Sequence, residues 1–242
     1  MSLSYIASAV ATGEDVSSID CTTSLNLQAG DLVVAWVKYE NTDTPLLSVQ
    51  ATTGAPNALT LSPRAWSGTS ASVSTDGYWA WLLSATANAT ATFRATYATT
   101  VAGPRMVVKQ FRPDAGETVS LSPASANPVL GTGNGSGPDS GNIDGAGTDG
   151  VQLGGYSEYN VQAWNPNDPK IGTNDCSATV VSVGGSTYAW HLLYTSDPPA
   201  QNAHGTTDNS DYWVCGIIGF QSVAGGGTTP LTAQLSESLI YG

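Results

Sequence analysis

The chain has 242 residues, 40% of them hydrophobic and only 11% charged, with 7 Lys and Arg against 19 Asp and Glu for a formal net charge of −12. This length fits one large β-sandwich or two small domains, and seven Trp and ten Tyr need burial or a partner, which excludes disorder as the global state. The acid excess leaves no electrostatic footprint for phosphates, so no nucleic-acid partner is expected.

The one basic cluster, Arg94, Arg105, Lys109 and Arg112, is expected to pair with the protein's own acids. No apolar run approaches the roughly 18 residues that span a bilayer, and Met1-Ser2-Leu3-Ser4-Tyr5 carries no basic n-region. These features predict no membrane partner and a chain made and kept in a cytoplasm, or released from it by lysis.

In chain order, period-two alternation and short runs rich in Val, Thr, Tyr and Trp predict strands over 5–11, 32–39, 46–51, 59–66, 78–84, 91–97 and 105–111. The second half adds strands over 151–159, 177–183, 187–195 and 213–221. The single helical candidate is 231–240, where Leu231, Leu235 and Leu239 recur every four residues, too short to be stable in isolation. Many short strands separated by turn signals indicate an all-β fold, for which a jelly-roll-like antiparallel β-sandwich suits the length.

An internal echo divides the chain. Tyr78-Trp79-Ala80-Trp81-Leu82-Leu83 shares an Ala-Trp-x-Leu register with Tyr188-Ala189-Trp190-His191-Leu192-Leu193, and Phe111 to Gly116 shares Phe-x-x-x-Ala-Gly with Phe220 to Gly225. Trp81 precedes Phe111, and Trp190 precedes Phe220, by the same thirty residues. The expected organisation is one sandwich over 1–223 with halves of about 1–130 and 150–223, joined by a long flexible Gly-rich loop over 131–150. A Gly-rich linker and C-terminal arm follow over 224–242, with Leu231, Leu235, Leu239, Ile240 and Tyr241 as apolar residues on a tether in want of a surface.

Several constellations bear on chemistry. Gly135-Ser136-Gly137-Pro138-Asp139 and Gly145-Ala146-Gly147-Thr148-Asp149 both read Gly-x-Gly-x-Asp, so Asp139, Asp144 and Asp149 form a candidate Ca²⁺ site, with a solvated acidic turn cluster as the alternative. No Gly-x-Ser-x-Gly elbow occurs. His191 alternates with Trp190 on a predicted strand, which suggests a core Trp and a surface His, and His204 is expected in a loop. Glu40, Asp43, Glu158 and Asp168 fall at strand ends or in loops, the pattern of a solvated rim. Neither catalytic residues nor a cofactor are expected.

Cys21, Cys176 and Cys215 are too few for a disulfide framework; they are buried thiols or partners in a disulfide formed after release, within or between chains. Trp36, Trp81, Trp190 and Trp213 lie in core-like strands, and Trp79 shares the face of Trp81. Trp66 and Trp164 sit beside loops and, with Tyr159, make a candidate glycan platform or, alternatively, anchors of a subunit interface.

The chain resembles a broad group of tailed-bacteriophage virion proteins in its low charge, acidic balance, half-repeat, Gly-rich tethered tail and Ala29-Gly30-Asp31-Leu32-Val33-Val34-Ala35-Trp36 strand entry. The resemblance implies a jelly-roll-like body, a homo-oligomer, and a non-enzymatic capsid-decorating or tail-associated role on the virion, after assembly in the host bacterial cytoplasm. Its partners would be major capsid or tail proteins and copies of itself. The alternative is a carbohydrate-binding, receptor-recognising β-sandwich module of a fibre or surface protein.

Overall fold

The computed structural model describes residues 2–40, 44–55, 57–70, 73–123, 127–143, 147–159, 169–176, 179–181, 187–207 and 211–225. Strand-forming sequence in the first half gives β1 (Leu3–Thr12), β2 (Val16–Asp20), β3 (Leu25–Leu27), β4 (Leu32–Glu40), β5 (Leu46–Ala51), β6 (Thr60–Leu61), β7 (Ala65–Ser70), β8 (Val73–Leu82), β9 (Asn88–Ala91) and β10 (Phe93–Pro113). The second half gives β11 (Glu117–Leu121), β12 (Val129–Gly135), β13 (Asp139–Ile143), β14 (Gly150–Glu158), β15 (Lys170–Ile171), β16 (Asn174–Asp175), β17 (Thr179–Val181), β18 (Thr187–Tyr194), β19 (Gln201–His204) and β20 (Asp211–Ala224). No helix occurs among the described residues, and the fold is an all-β sandwich of antiparallel sheets.

Three apolar clusters separate the layers. Strand alternation sends Val33, Ala35, Val37 and Tyr39 of β4 to one face, where they pack with Ile19, Leu27, Val49 and Phe93. Leu32, Val34 and Trp36 go to the other face, against Val151, Leu153, Val214, Ile218 and Phe220 of the second half. The far side of that second sheet packs Tyr156, Trp190, Trp213, Cys215 and Ile217 on Ile143, Ile171 and Ala203. Because β4 is covered on both faces it reads as a continuous apolar run, Leu-Val-Val-Ala-Trp-Val, instead of an alternating one.

The halves share a strand order. In the first, β1, β10, β4 and β8 are neighbours in that order; in the second, β11, β20, β14 and β18 are. They meet reciprocally, β10 against β18 and β8 against β20, as two subunits of an isologous dimer would. The pairing registers make the equivalence residue by residue. Phe111 opposes Leu32 as Phe220 opposes Val151, and Val34 lies between Lys109 and Trp81 as Leu153 lies between Ile218 and His191.

The structural mate of Trp81 is therefore His191, one residue along from the Trp190 that the sequence echo aligned with it. A one-residue slip moves a side chain to the other face of its sheet. Trp81 accordingly packs in the seam between the halves and Trp190 in the outer core of the second half.

Two expectations are corrected. The run 131–150 is not a connecting loop, since most of it belongs to β12, β13 and the first residue of β14. Its glycines permit close approach: a Cβ at Gly131 would lie 2.0 Å from the Asp139 carbonyl oxygen, and one at Gly133 2.5 Å from the Trp213 ring. The strands predicted over 91–97 and 105–111 are one strand, β10, which pairs with β2 and β5 through its first part and with β1 and β4 through its second. Gly103-Pro104 sits where the register with β4 shifts, between Ala102 and Arg105, and an irregularity of that kind admits a proline without ending the strand.

Candidate functional site

The seam between the halves is built on Trp36. Its indole Nε1 donates to the Tyr156 carbonyl at 3.1 Å and to Ser157 Oγ at 2.8 Å, and its ring meets Trp79 edge-on at 4.9 Å. Ser67 Oγ donates to the Gly133 carbonyl at 2.7 Å, a second polar tie across the same seam.

At one margin of the seam the apolar packing gives way to ionisable groups. Tyr5, from the exposed end of β1, stacks on the His191 imidazole with centroids 4.7 Å apart, and Phe111 closes on both rings at 5.7 and 5.3 Å. The Lys109 Nζ lies 3.4 Å from His191 Nδ1 and 5.5 Å from the centre of the Tyr5 ring. Burial drives the Lys109 ammonium down to about 8, and burial together with the neighbouring lysine drives His191 down to about 4. Burial holds the Cys176 thiol up at about 11, so it is protonated at neutral pH.

The opposite margin does the same packing with apolar residues. Leu121 opposes Phe220 as Tyr5 opposes Phe111, so the mates of Tyr5, Lys109 and His191 are Leu121, Ile218 and Trp81. Close packing of the seam thus has no need of a lysine and a histidine, and their presence at one margin marks it as the departure from symmetry. Sequence reasoning missed this cluster because the echo placed Trp190, not His191, opposite Trp81. The expected surface position for His191 is corrected accordingly: it is half-buried between two sheets.

The chemical capacity of the cluster is bounded by access. Lys109 is 1% exposed, and His191 is neutral at pH 7. The set is arranged to hold two layers together with a titratable contact. His204, expected in a loop, ends β19, where its Nε2 lies 2.8 Å from the Gly172 carbonyl oxygen.

The cations are used within the chain. Arg94 pairs with Asp20 at 2.7 Å, Arg105 with Glu14 at 2.7 Å, and Arg112 with the buried Asp31 at 2.7 Å. Lys38 pairs with Glu40, Arg64 with Asp76, and Lys170 with Asp175. Burial lowers Lys38 and raises Glu40, each toward its neutral form, while their mutual attraction opposes both shifts. Glu40 and Glu158 are not on a solvated rim as expected: Glu158 is fully buried and accepts a 2.5 Å hydrogen bond from the Tyr156 hydroxyl, an arrangement that β14 reaches by burial on both faces.

The remaining candidates distribute as follows. Asp139 accepts from the Gly141 amide at 2.8 Å through Oδ1 and from Asn202 at 2.8 Å through Oδ2, while the Asp149 carbonyl accepts from the Ser222 amide at 2.8 Å. Asp144 lies outside the described residues, among which no group of three or more His, Cys, Asp or Glu is placed to hold a metal ion. Cys21 is buried in the first outer core, whereas Cys215 is buried in the other and Cys176 packs at its margin; all three are free thiols.

Trp66 is exposed on β7, where its neighbours Ala65 and Ser67 face the seam, so alternation turns it away from the second half, in which Tyr159 directly follows β14. Trp164 and the arm residues Leu231, Leu235, Leu239, Ile240 and Tyr241 lie outside the described residues, as do Asp43 and Asp168. No protein-family model, no curated protein and no solved structure matches the chain.

Proposed function

We propose that this chain is a non-enzymatic virion structural protein of a tailed bacteriophage, decorating a capsid or associated with a tail, which binds the particle lattice and neighbouring copies of itself. The observation that carries this reading is the fate of its cations. Of seven Lys and Arg, six are held in ion pairs with the chain's own carboxylates and the seventh, Lys109, is buried in the seam. What remains outward is a surface of hydroxyls, glycines and excess acid at a net charge of −12.

Such a surface keeps free subunits apart by mutual repulsion and spares a wide interface the cost of desolvating unpaired cations. The rigid, duplicated body presents that surface in a fixed shape, and the C-terminal segment 231–241 serves as an arm whose tether raises the effective concentration of its contact.

The test is co-expression of the chain with the capsid and tail proteins of the genome that encodes it, followed by gradient sedimentation and electron cryomicroscopy of the particles. Density repeating at lattice positions, lost when residues after 225 are deleted, is the expected result. A chain that stays at the top of the gradient while its tryptophan fluorescence responds to a defined sugar on titration, a response lost in Trp66→Phe, would transfer the assignment to a carbohydrate-binding module.

A further inference from the structure

At one place the two halves differ in that the second is closed and the first is open. Residues 28–31 and 114–117 each form a turn whose fourth residue donates its amide to the first, Asp31 to Gln28 at 3.2 Å and Glu117 to Asp114 at 3.1 Å. Gly30 and Gly116 stand third, at φ of 91° and 84°, as a type II turn requires. Both turns line a cleft of about 280 Å³, together with Arg112 and Pro113. A Cβ at either glycine would meet no atom within 4 Å, so the space above both is clear.

The equivalent place in the second half is filled. Through the registers that set Phe111 opposite Leu32 and Phe220 opposite Val151, the mates of Gln28, Gly30, Arg112 and Pro113 are Gly147, Asp149, Gln221 and Ser222. There the Ser222 amide donates to the Asp149 carbonyl at 2.8 Å, and the Gln221 side chain lies over Gly147 so closely that a Cβ there would collide with its Oε1. In the first half Pro113 has no N–H to offer the Gly30 carbonyl. Arg112 turns instead to Asp31, its Nε and Nη2 donating to the carboxylate at 2.7 and 2.9 Å. These two differences open the cleft and leave two groups for a ligand: the Gly30 carbonyl as acceptor, and Arg112 Nη1 as donor on a side chain that is 30% exposed.

We propose that this cleft binds one neutral sugar residue, two adjacent hydroxyls of which bridge the Arg112 Nη1 donor and the Gly30 carbonyl acceptor. The proposal goes beyond the structural role above and does not depend on it.

The lining selects this class of ligand by elimination. Its apolar side chains are two alanines and a proline, which give an apolar molecule little to cover. Asp114 and Glu117 stand on one wall and Asp31 behind Arg112, so carboxylates outnumber the one guanidinium and repel an anion, while a cation meets Arg112 itself. A hydroxyl both donates and accepts, so a vicinal pair serves one donor and one acceptor with no charge to desolvate. The volume lies just under the roughly 300 Å³ at which pockets for drug-sized ligands begin, which suits a single ring. Glycine at both turns lets that ring approach the backbone closely.

The test is a titration of the full, isotope-labelled chain with glucose, galactose and mannose in turn, and with glucuronate and glucosamine as charged counterparts, read by amide chemical shifts. Saturable shifts over 28–30 and 115–117 with at least one neutral sugar are expected. Ala29 and Ala115 are exposed second residues of the two turns, where leucine fills the cleft without touching the Arg112–Asp31 pair. Ala29→Leu and Ala115→Leu should therefore each weaken binding by about tenfold or more. Trp66→Phe should leave the shifts unchanged, which separates this site from a platform at Trp66.

No shift over these residues with any neutral sugar up to about 50 mM, far above the roughly 1 mM of a weak small-ligand site, would overturn the proposal. Tighter binding of glucuronate or glucosamine than of every neutral sugar would overturn the choice of ligand class. Unchanged binding in both leucine variants, or shifts confined to the strand around Trp66, would place the sugar elsewhere and overturn the site.

Discussion

Tyr5 and His191 stack at 4.7 Å across the seam, joining β1 of one half to β18 of the other. Because the contact includes a titratable ring, its contribution to stability depends on pH. His191 titrates near 4 in the folded chain and near 6.5 when unfolded. The unfolded state therefore binds the proton first, so the contribution is present above pH 6.5 and is lost as pH falls from there toward 4. A His191→Phe variant, which keeps an aromatic ring without the proton site, should show a flatter fall in stability over that window in urea titrations at stepped pH.

Lys109 offers the converse test. Its mate across the pseudo-twofold is Ile218, which performs the same packing without desolvating a charge. Lys109→Met is expected to raise stability at pH 7 by about 1 kcal/mol or more, as apolar replacements of buried charges often do. The variant should also lose the gain in stability that the wild type shows as pH rises from about 8 toward the ordinary lysine value of 10.5.

The close approach of backbone to indole at the centre of the seam sets a steric limit. A Cβ at Gly155 would stand 2.4 Å from Trp36 Cδ2, and the Trp36 ring is fixed by its two Nε1 hydrogen bonds. Gly155→Ala should cost about 1–3 kcal/mol by overpacking, measured as a lower urea midpoint with an unchanged slope.

Asp31 is 1% exposed and gathers donors from three places: the Gln28 amide at 2.8 Å, Gln110 Nε2 at 2.6 Å, and the Arg112 guanidinium at 2.7 and 2.9 Å. Asp31→Ala leaves those donors without their acceptor and should destabilise the chain by about 3 kcal/mol or more, readable in thermal and urea unfolding.

The thiols should differ in reactivity. Cys21 and Cys215 are buried, and Cys21 is held up at about 12, whereas Cys176 is partly exposed with a thiol near 11. An aromatic disulfide reagent at pH 8 is expected to label Cys176 alone and slowly, and the other two only after unfolding; fast labelling of Cys21 in the native chain would contradict the core assignment.

The all-β class is legible from the residues alone, since alternation, β-branched residues and turn signals are local and sterically enforced. The pairing of the arginines with the chain's own acids is legible there too, because so few cations stand among so many carboxylates, and so is the presence of two related units. Three features were beyond the sequence.

Gly131 and Gly133 read as loop glycines, and only the approach of Asp139 and Trp213 turned them into strand glycines. Residues 98–104 fall between two predicted strands, and only the pairing of β10 with four partners carries one strand through them. The Trp81–Trp190 match read as equivalence, and only the ladder registers made His191 the mate of Trp81. Local sequence specifies alternation without naming the face, and which face is the seam is decided by the partner sheet. The cluster of Tyr5, Lys109 and His191 therefore exists only at the level of tertiary structure, where residues nearly two hundred positions apart are brought together by the packing of one half on the other.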